Sequence, residues 1–281
     1  MKIFNRLIPA LLLALVTISG CDKIEPPYLT NTNNDGGDGE VVRKFLLEEF
    51  TGHRCPNCPA GTETAKTLKN FYGDRLVIVT IHAGFFAMPI SAPFDYDFRT
   101  PEGTALNNHF GITQNPVGMV NRTGFEGALL LTPASWGSAM QAFEDSEPDI
   151  RLDIGLTSMS GDGNYRLDAG VTSLKDQEDD LYLVALLIED GIIKPQKTND
   201  PEYPDGEILD YEHNHILRKG ITDIWGEKIS EGLFGVDDVQ HRNYDFQLDA
   251  EWVADNCSVV VYVMNSNMEI LQVEEKKLPT N

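Results

Sequence analysis

Apolar and polar positions change rhythm several times along the chain. A short basic start with Lys2 and Arg6 leads into an apolar run over positions 7–18, interrupted only by Pro9 and Thr17. That run is shorter than the roughly 20 residues a membrane helix needs and suits the apolar region of a secretory signal. Positions 21–40 hold Pro, Asn, Asp and Gly with little to bury, which predicts a flexible tether. Over 41–146 strand-like and helix-like stretches alternate. VVRKFLLEEF and DRLVIVTIHAG read as buried strands, with the helical stretch AGTETAKTLKNFYG between them, closed at Gly73. An aromatic- and Pro-rich segment fills 85–110, and a third strand is entered through Asn115-Pro116. A helix starts at Leu131-Thr132-Pro133, with Thr132 as cap and Pro133 in its first turn. Alternating strands and helices predict an α/β domain. From 147 to 281 the pattern becomes short strands separated by turns, such as NYRLDAGVTSL, LYLVALLIED and CSVVVYVMN, which predicts an antiparallel β-sandwich. An insertion over 193–235 interrupts that pattern.

The apolar start ends in Ile18-Ser19-Gly20-Cys21. Small residues before a Cys, with an aliphatic residue three positions earlier, resemble the lipobox of bacterial lipoproteins. The expected division is therefore a signal peptide at 1–20, a lipidated tether at 21–40 anchored through Cys21, an α/β domain at 41–146 and a β domain at 147–281. Hydrophobic residues make up 41% of the chain, enough for a real core. Net charge is −22, and −24 once the two positive charges of Lys2 and Arg6 are removed with the signal. So acidic a surface argues against nucleic acid and against charge-driven binding to anionic membranes.

With Cys21 lipidated, three thiols remain: Cys55, Cys58 and Cys257. The pair Cys55-Pro56-Asn57-Cys58 falls between a predicted strand and a predicted helix. A helix N-terminus lowers a thiol pKa, and a two-residue spacer lets one thiol resolve a mixed disulfide made by the other. Arg54 and His53 are expected to add positive charge beside Cys55, which makes Cys55 the attacking and Cys58 the resolving thiol. Two other readings stand beside redox exchange. His53, Cys55 and Cys58 would supply three zinc ligands, with His82 or His109 recruited as a fourth, but no second C-x-x-C exists. A permanent disulfide is the other, although so short a loop gains little closure entropy. Cys257, in an apolar strand, reads as a buried core thiol. His213 and His215 share an H-x-H spacing near Asp210 and Glu212, more suggestive of packing than of chelation. No cofactor and no metal are expected.

The segment around the pair resembles the thioredoxin superfamily. Glu49-Phe50 stands where that family commonly has an acid and a Phe, and Asn115-Pro116-Val117 looks like its cis-Pro loop. The resemblance implies that Glu49 moves the proton of Cys58 and that Pro116 places a client backbone. Arg54 departs from the family, which usually has an aromatic residue before the first Cys, and the long 85–110 segment is expected to act as a lid or docking surface. The whole mature chain is similar to the outer-membrane-protein-28-related lipoproteins of Bacteroides-type bacteria. The lipobox, LLEEFTGHRCPNCPAG, GITQNPVGMVNR and DYEHNHILRKGI carry that similarity. It implies a thioredoxin-like domain followed by an Ig-like β-sandwich, anchored at the outer membrane. Two functions follow as expectations: thiol–disulfide exchange on extracytoplasmic proteins, or a binding and adhesive role carried by the β domain.

Overall fold

The computed structural model describes residues 41–279. The expected signal peptide at 1–20, lipid site at Cys21 and tether at 21–40 lie outside the described residues. The described elements are β1 (Phe45–Thr51), α1 (Cys58–Tyr72), β2 (Leu76–His82), α2 (Pro101–His109), β3 (Val117–Val120), α3 (Pro133–Ala142), β4 (Ile150–Ser158), β5 (Asn164–Ser173) and β6 (Tyr182–Glu189). Four short strands follow: β7 (Ile192–Ile193), β8 (Gln196–Lys197), β9 (Glu207–Ile208) and β10 (Glu212–His213). Then come β11 (Ile216–Gly220), β12 (Glu227–Lys228), β13 (Val239–Gln247), β14 (Cys257–Met264) and β15 (Ile270–Lys277).

β1 runs parallel to β2 through the crossover helix α1, and antiparallel to β3. Gly73 ends α1 with φ +57°, a backbone conformation that only glycine adopts cheaply, and its N–H returns to the Lys69 carbonyl. α2 was not expected from the 85–110 segment. Thr100 caps it by accepting from the Gly103 N–H at 2.9 Å, with Pro101 at its first position. α3 starts at Pro133 after Thr132, as the capping pattern predicts, although the Thr132 hydroxyl makes no capping bond.

The expected boundary between 146 and 147 is not a structural one. An eight-stranded sheet runs β15-β14-β6-β11-β2-β1-β3, with β12 also paired to β6. Strands of the second half therefore extend the sheet of the first, and the described residues 41–279 fall in a single compact unit. The junction is β11, parallel to β2, with the Thr80 N–H donating to the His215 carbonyl at 2.8 Å. Among the described residues after 147, the strands do not close into a self-contained sandwich. Only β13, β5 and β4 make a separate three-stranded sheet, which covers the outer face of β6, β14 and β15. The physical reason lies in β6 and β14. They are apolar at almost every position and buried on both faces, so one partner sheet is not enough to cover them.

The main sheet curls until β15 returns over the start of β1. The Lys44 N–H donates to Gln272 Oε1 at 3.0 Å, and the Ile270 N–H to the Asn121 carbonyl at 2.9 Å. Inside the curl, Leu46, Phe50 and Met119 meet Leu186, Val260 and Val273. On the other face of β1, Phe45 and Leu47 pack under α1 and α3 with Trp136 and Met140. Successive strand residues point to opposite faces, so the adjacent Glu48 and Glu49 part company. Glu48 enters the curl and pairs with Arg122 through two bonds, Nε to Oε2 at 2.7 Å and Nη2 to Oε1 at 2.6 Å. Arg122 also donates to the Tyr262 hydroxyl on β14 at 2.9 Å. Both charged side chains are 1% exposed. Removing one partner of such a pair leaves a buried charge uncompensated, at a cost of about 3–5 kcal/mol. Arg122→Met is expected to lower unfolding stability by about that amount in urea titrations. Glu48→Leu in the same chain should recover much of the loss, because no lone carboxylate then remains.

Candidate functional site around Cys55 and Cys58

Cys55 and Cys58 form a disulfide at the end of β1, with Cα atoms 5.4 Å apart. Asn57 is the cap of α1 and Cys58 its first residue, with Pro59 in the first turn. Cys55 sits in the preceding turn, its N–H donating to the Gly52 carbonyl at 2.9 Å and its carbonyl accepting from Cys58 at 3.2 Å. Both cysteines are only 1% exposed.

Glu49 lies under the first turns of α1. Cys58, Gly61, Thr62 and Ala65 follow helical spacing along the inner face of α1. A Cβ built on Gly61 would fall 3.3 Å from Glu49 Oε1 and 2.9 Å from the Pro116 ring. The glycine thus lets helix, acid and proline close together. The Thr62 hydroxyl donates to Glu49 Oε1 at 3.3 Å, while Oε2 is buried without a partner. Burial pushes the Glu49 carboxyl up to about 8, only partly offset by Thr62, so it is protonated at neutral pH. The Asn115–Pro116 bond is cis, as is Ala92–Pro93, which the sequence did not announce. The sequence-predicted residues Cys55, Cys58, Glu49 and Pro116 are therefore gathered in one place.

Two segments close over them. From the 85–110 stretch, the Phe86 carbonyl accepts from the Arg54 N–H at 3.0 Å, and a Cβ on Gly52 would sit 2.4 Å from Phe86 backbone. From the 193–235 insertion, the Lys197 N–H donates to the His53 carbonyl at 2.8 Å and the Asn199 N–H to the Pro56 carbonyl at 3.0 Å. Gln196 Nε2 donates to the Cys55 carbonyl at 2.9 Å, and Asn199 Nδ2 to Asn57 Oδ1 at 2.6 Å. No local sequence signal marks Gln196, Lys197, Asn199 or Thr62, because their role depends on contacts remote in the chain.

The Omp28 family, described as outer membrane protein Omp28, matches residues 103–281, more than half of the chain. The chain belongs to this family. The fold is similar to HBP35 of Porphyromonas gingivalis at 20% identity and a TM-score of 0.62, covering 85% of this chain and 76% of that one. Protein AGR_C_4864 from Agrobacterium tumefaciens is also similar, at 12% identity and a TM-score of 0.48, over 86% of this chain and 100% of that one. No curated protein matches the chain in sequence. The Omp28 name places the chain with outer-membrane-associated proteins. Among the described residues, no helix is long and apolar enough to cross a membrane.

In this Omp28 protein the charges expected beside Cys55 are not arranged as the sequence suggests. Arg54 turns outward, donating to the Phe85 and Met88 carbonyls and stacking over the Phe85 ring. His53 is buried and its pKa is lowered by burial, so it brings no positive charge. Instead it belongs to an inward cluster with His82, His213, Phe94 and Phe98. Burial, with His213 and His53 nearby, holds His82 well below its usual range, and burial lowers His213 to about 3. His213 and His215 do not converge on a shared point. His213 packs on Phe98 and approaches the Lys194 carbonyl at 3.2 Å, whereas His215 turns to Asp190. Cys257 is a buried free thiol, as expected, with its pKa pushed up to about 12 by burial.

Histidines that stay neutral when folded but take protons when unfolded destabilise the fold as pH falls below about 6.5. His213 should contribute a loss of about 1.4 kcal/mol per pH unit down to its folded value of about 3. His213→Phe keeps the aromatic packing and removes that slope. Urea titrations between pH 7 and 4 should show the variant losing less stability on acidification than the wild type.

Proposed function

We propose that this Omp28 family protein is a membrane-tethered thiol–disulfide exchange protein, built on a thioredoxin-like unit within the larger sheet and anchored through a lipid on Cys21. The observation that carries the reading is Glu49: a buried, protonated carboxyl under the helix turn that starts with Cys58, in contact range of Gly61 beside Pro116. In exchange with a client dithiol, the client thiolate attacks Cys55 Sγ, the Cys55–Cys58 bond breaks, and Cys58 leaves with the electron pair. The protonated Glu49 supplies the proton that Cys58 takes up. The client's second thiolate then attacks its own sulfur in the mixed disulfide and expels Cys55. The client ends as a disulfide and the protein as a dithiol; the reverse sequence reduces a client. Pro116 stands where a client backbone would run.

The near-complete burial of both cysteines favours a second reading, in which Cys55–Cys58 is a sealed structural bridge and the protein acts by binding partners. A single comparison separates the two. Wild-type protein should exchange with a model dithiol or disulfide substrate at a rate that Cys55→Ser reduces to the uncatalysed level. Cys58→Ala in the native host should accumulate envelope proteins disulfide-linked to Cys55. If wild type exchanges no faster than Cys55→Ser and nothing is trapped, the structural reading replaces the exchange reading.

A further inference from the structure

The disulfide is closed off by a piece of the chain's own backbone, and the manner of closure identifies a docking edge. In the turn from Gly52 to Pro56 the Gly52 and Cys55 carbonyls accept from the turn's own Cys55 and Cys58 N–H groups, while the His53 and Pro56 carbonyls accept from a remote segment. Residues 196–199 run beside it and donate to four of its carbonyls. Gln196 Nε2 reaches the Gly52 and Cys55 carbonyls at 3.4 and 2.9 Å, the Lys197 N–H reaches His53, and the Asn199 N–H reaches Pro56. Backbone N–H groups at alternate residues, 197 and 199, do the pairing, as they do when an extended peptide joins a sheet edge. The segment is held from behind by a short hairpin, β8 with β9, and by the Lys197–Glu207 ion pair, with Lys197 Nζ over the Phe94 ring. Gln196 and Thr198 are buried, while the hairpin tip at 200–205 is largely exposed. The arm holds the turn through hydrogen bonds and ends in a solvent-exposed tip, the kind of polar, partly solvated attachment that opens locally.

We propose that the carbonyl edge Gly52–Pro56 is the docking edge for an extended polypeptide, and that residues 196–199 occupy it as a resident stand-in that a client displaces. The inference rests on the exchange reading only in naming the guest as a client. It explains how a buried disulfide is reached: the arm leaves the edge, the guest backbone takes its hydrogen bonds, and Cys55 is uncovered in the same movement.

The test is the rate at which a small phosphine reduces Cys55–Cys58 in the full chain, read by alkylation of the released thiols. Gln196→Ala with Asn199→Ala removes the side-chain bonds to the edge and should speed reduction about tenfold or more. Lys197→Pro removes the N–H that reaches His53 and should act in the same direction. A synthetic peptide of residues 194–200, added in excess to the double variant, should slow reduction back toward the wild-type rate. Equal rates in wild type and variants would overturn the proposal, and so would acceleration that the peptide does not reverse. Acceleration with peptide rescue but no client exchange would uphold the edge and remove the exchange function. Client exchange without acceleration would do the opposite.

Discussion

β1 is buried on both faces and carries two adjacent glutamates, and the rest of the structure is arranged around that constraint. A strand alternates its side chains, so neither acid can follow the other to solvent. Glu48 points into the curled sheet, where Arg122 neutralises it and Tyr262 fills out the guanidinium's hydrogen bonding. Glu49 points under α1, where no cation waits, and it stays protonated. One strand thus hosts a charged acid and an uncharged one back to back. The first holds Arg122, which reaches Tyr262 in the second half of the chain. The second sits under the first turns of α1, beside Thr62 and Gly61.

The continuity of the sheet makes the second half of the chain part of the site. β11 lies against β2, β14 supplies Tyr262, and the segment between β7 and β11 folds back over Cys55 and Cys58. The histidine cluster works in the same direction. His53 and His82 come from the first half and His213 from the second, and they meet around Phe98 as neutral aromatic surfaces. The disulfide is therefore enclosed by residues from both halves, which is unlike a free module joined to a separate binding domain by a linker.

Local features of this architecture were legible in the sequence and remote ones were not. The strand carrying Glu49-Phe50, the helix ending at Gly73 and the Cys55–Cys58 pair follow from short-range pattern and spacing, whereas the place of Glu49 and Pro116 beside that pair came from the resemblance to the thioredoxin superfamily. The sandwich expected over 147–281 fails because periodicity reports that β6 and β14 are buried but not by which partner. The same limit hides the Glu48–Arg122–Tyr262 contact and the Gln196–Asn199 arm, whose members are separated by some 70 to 145 positions. His53 was expected to be a cation for the same reason: its neutrality comes from burial among Phe94, Phe98 and His82, none of them near in sequence. α2 escaped notice because its segment is crowded with Pro and aromatic residues, although Thr100-Pro101 carried a capping signal.

The most direct measurement is the carboxyl titration of Glu49 in the oxidised full chain, followed by isotope-edited infrared or carbon NMR with Glu49→Gln as the assignment control. The account predicts a midpoint near 8, with the protonated form dominant at neutral pH. A midpoint near the ordinary glutamate value of about 4.3 would mean that Glu49 is charged and solvated at rest, and would contradict the proton-donor role on which the exchange mechanism depends.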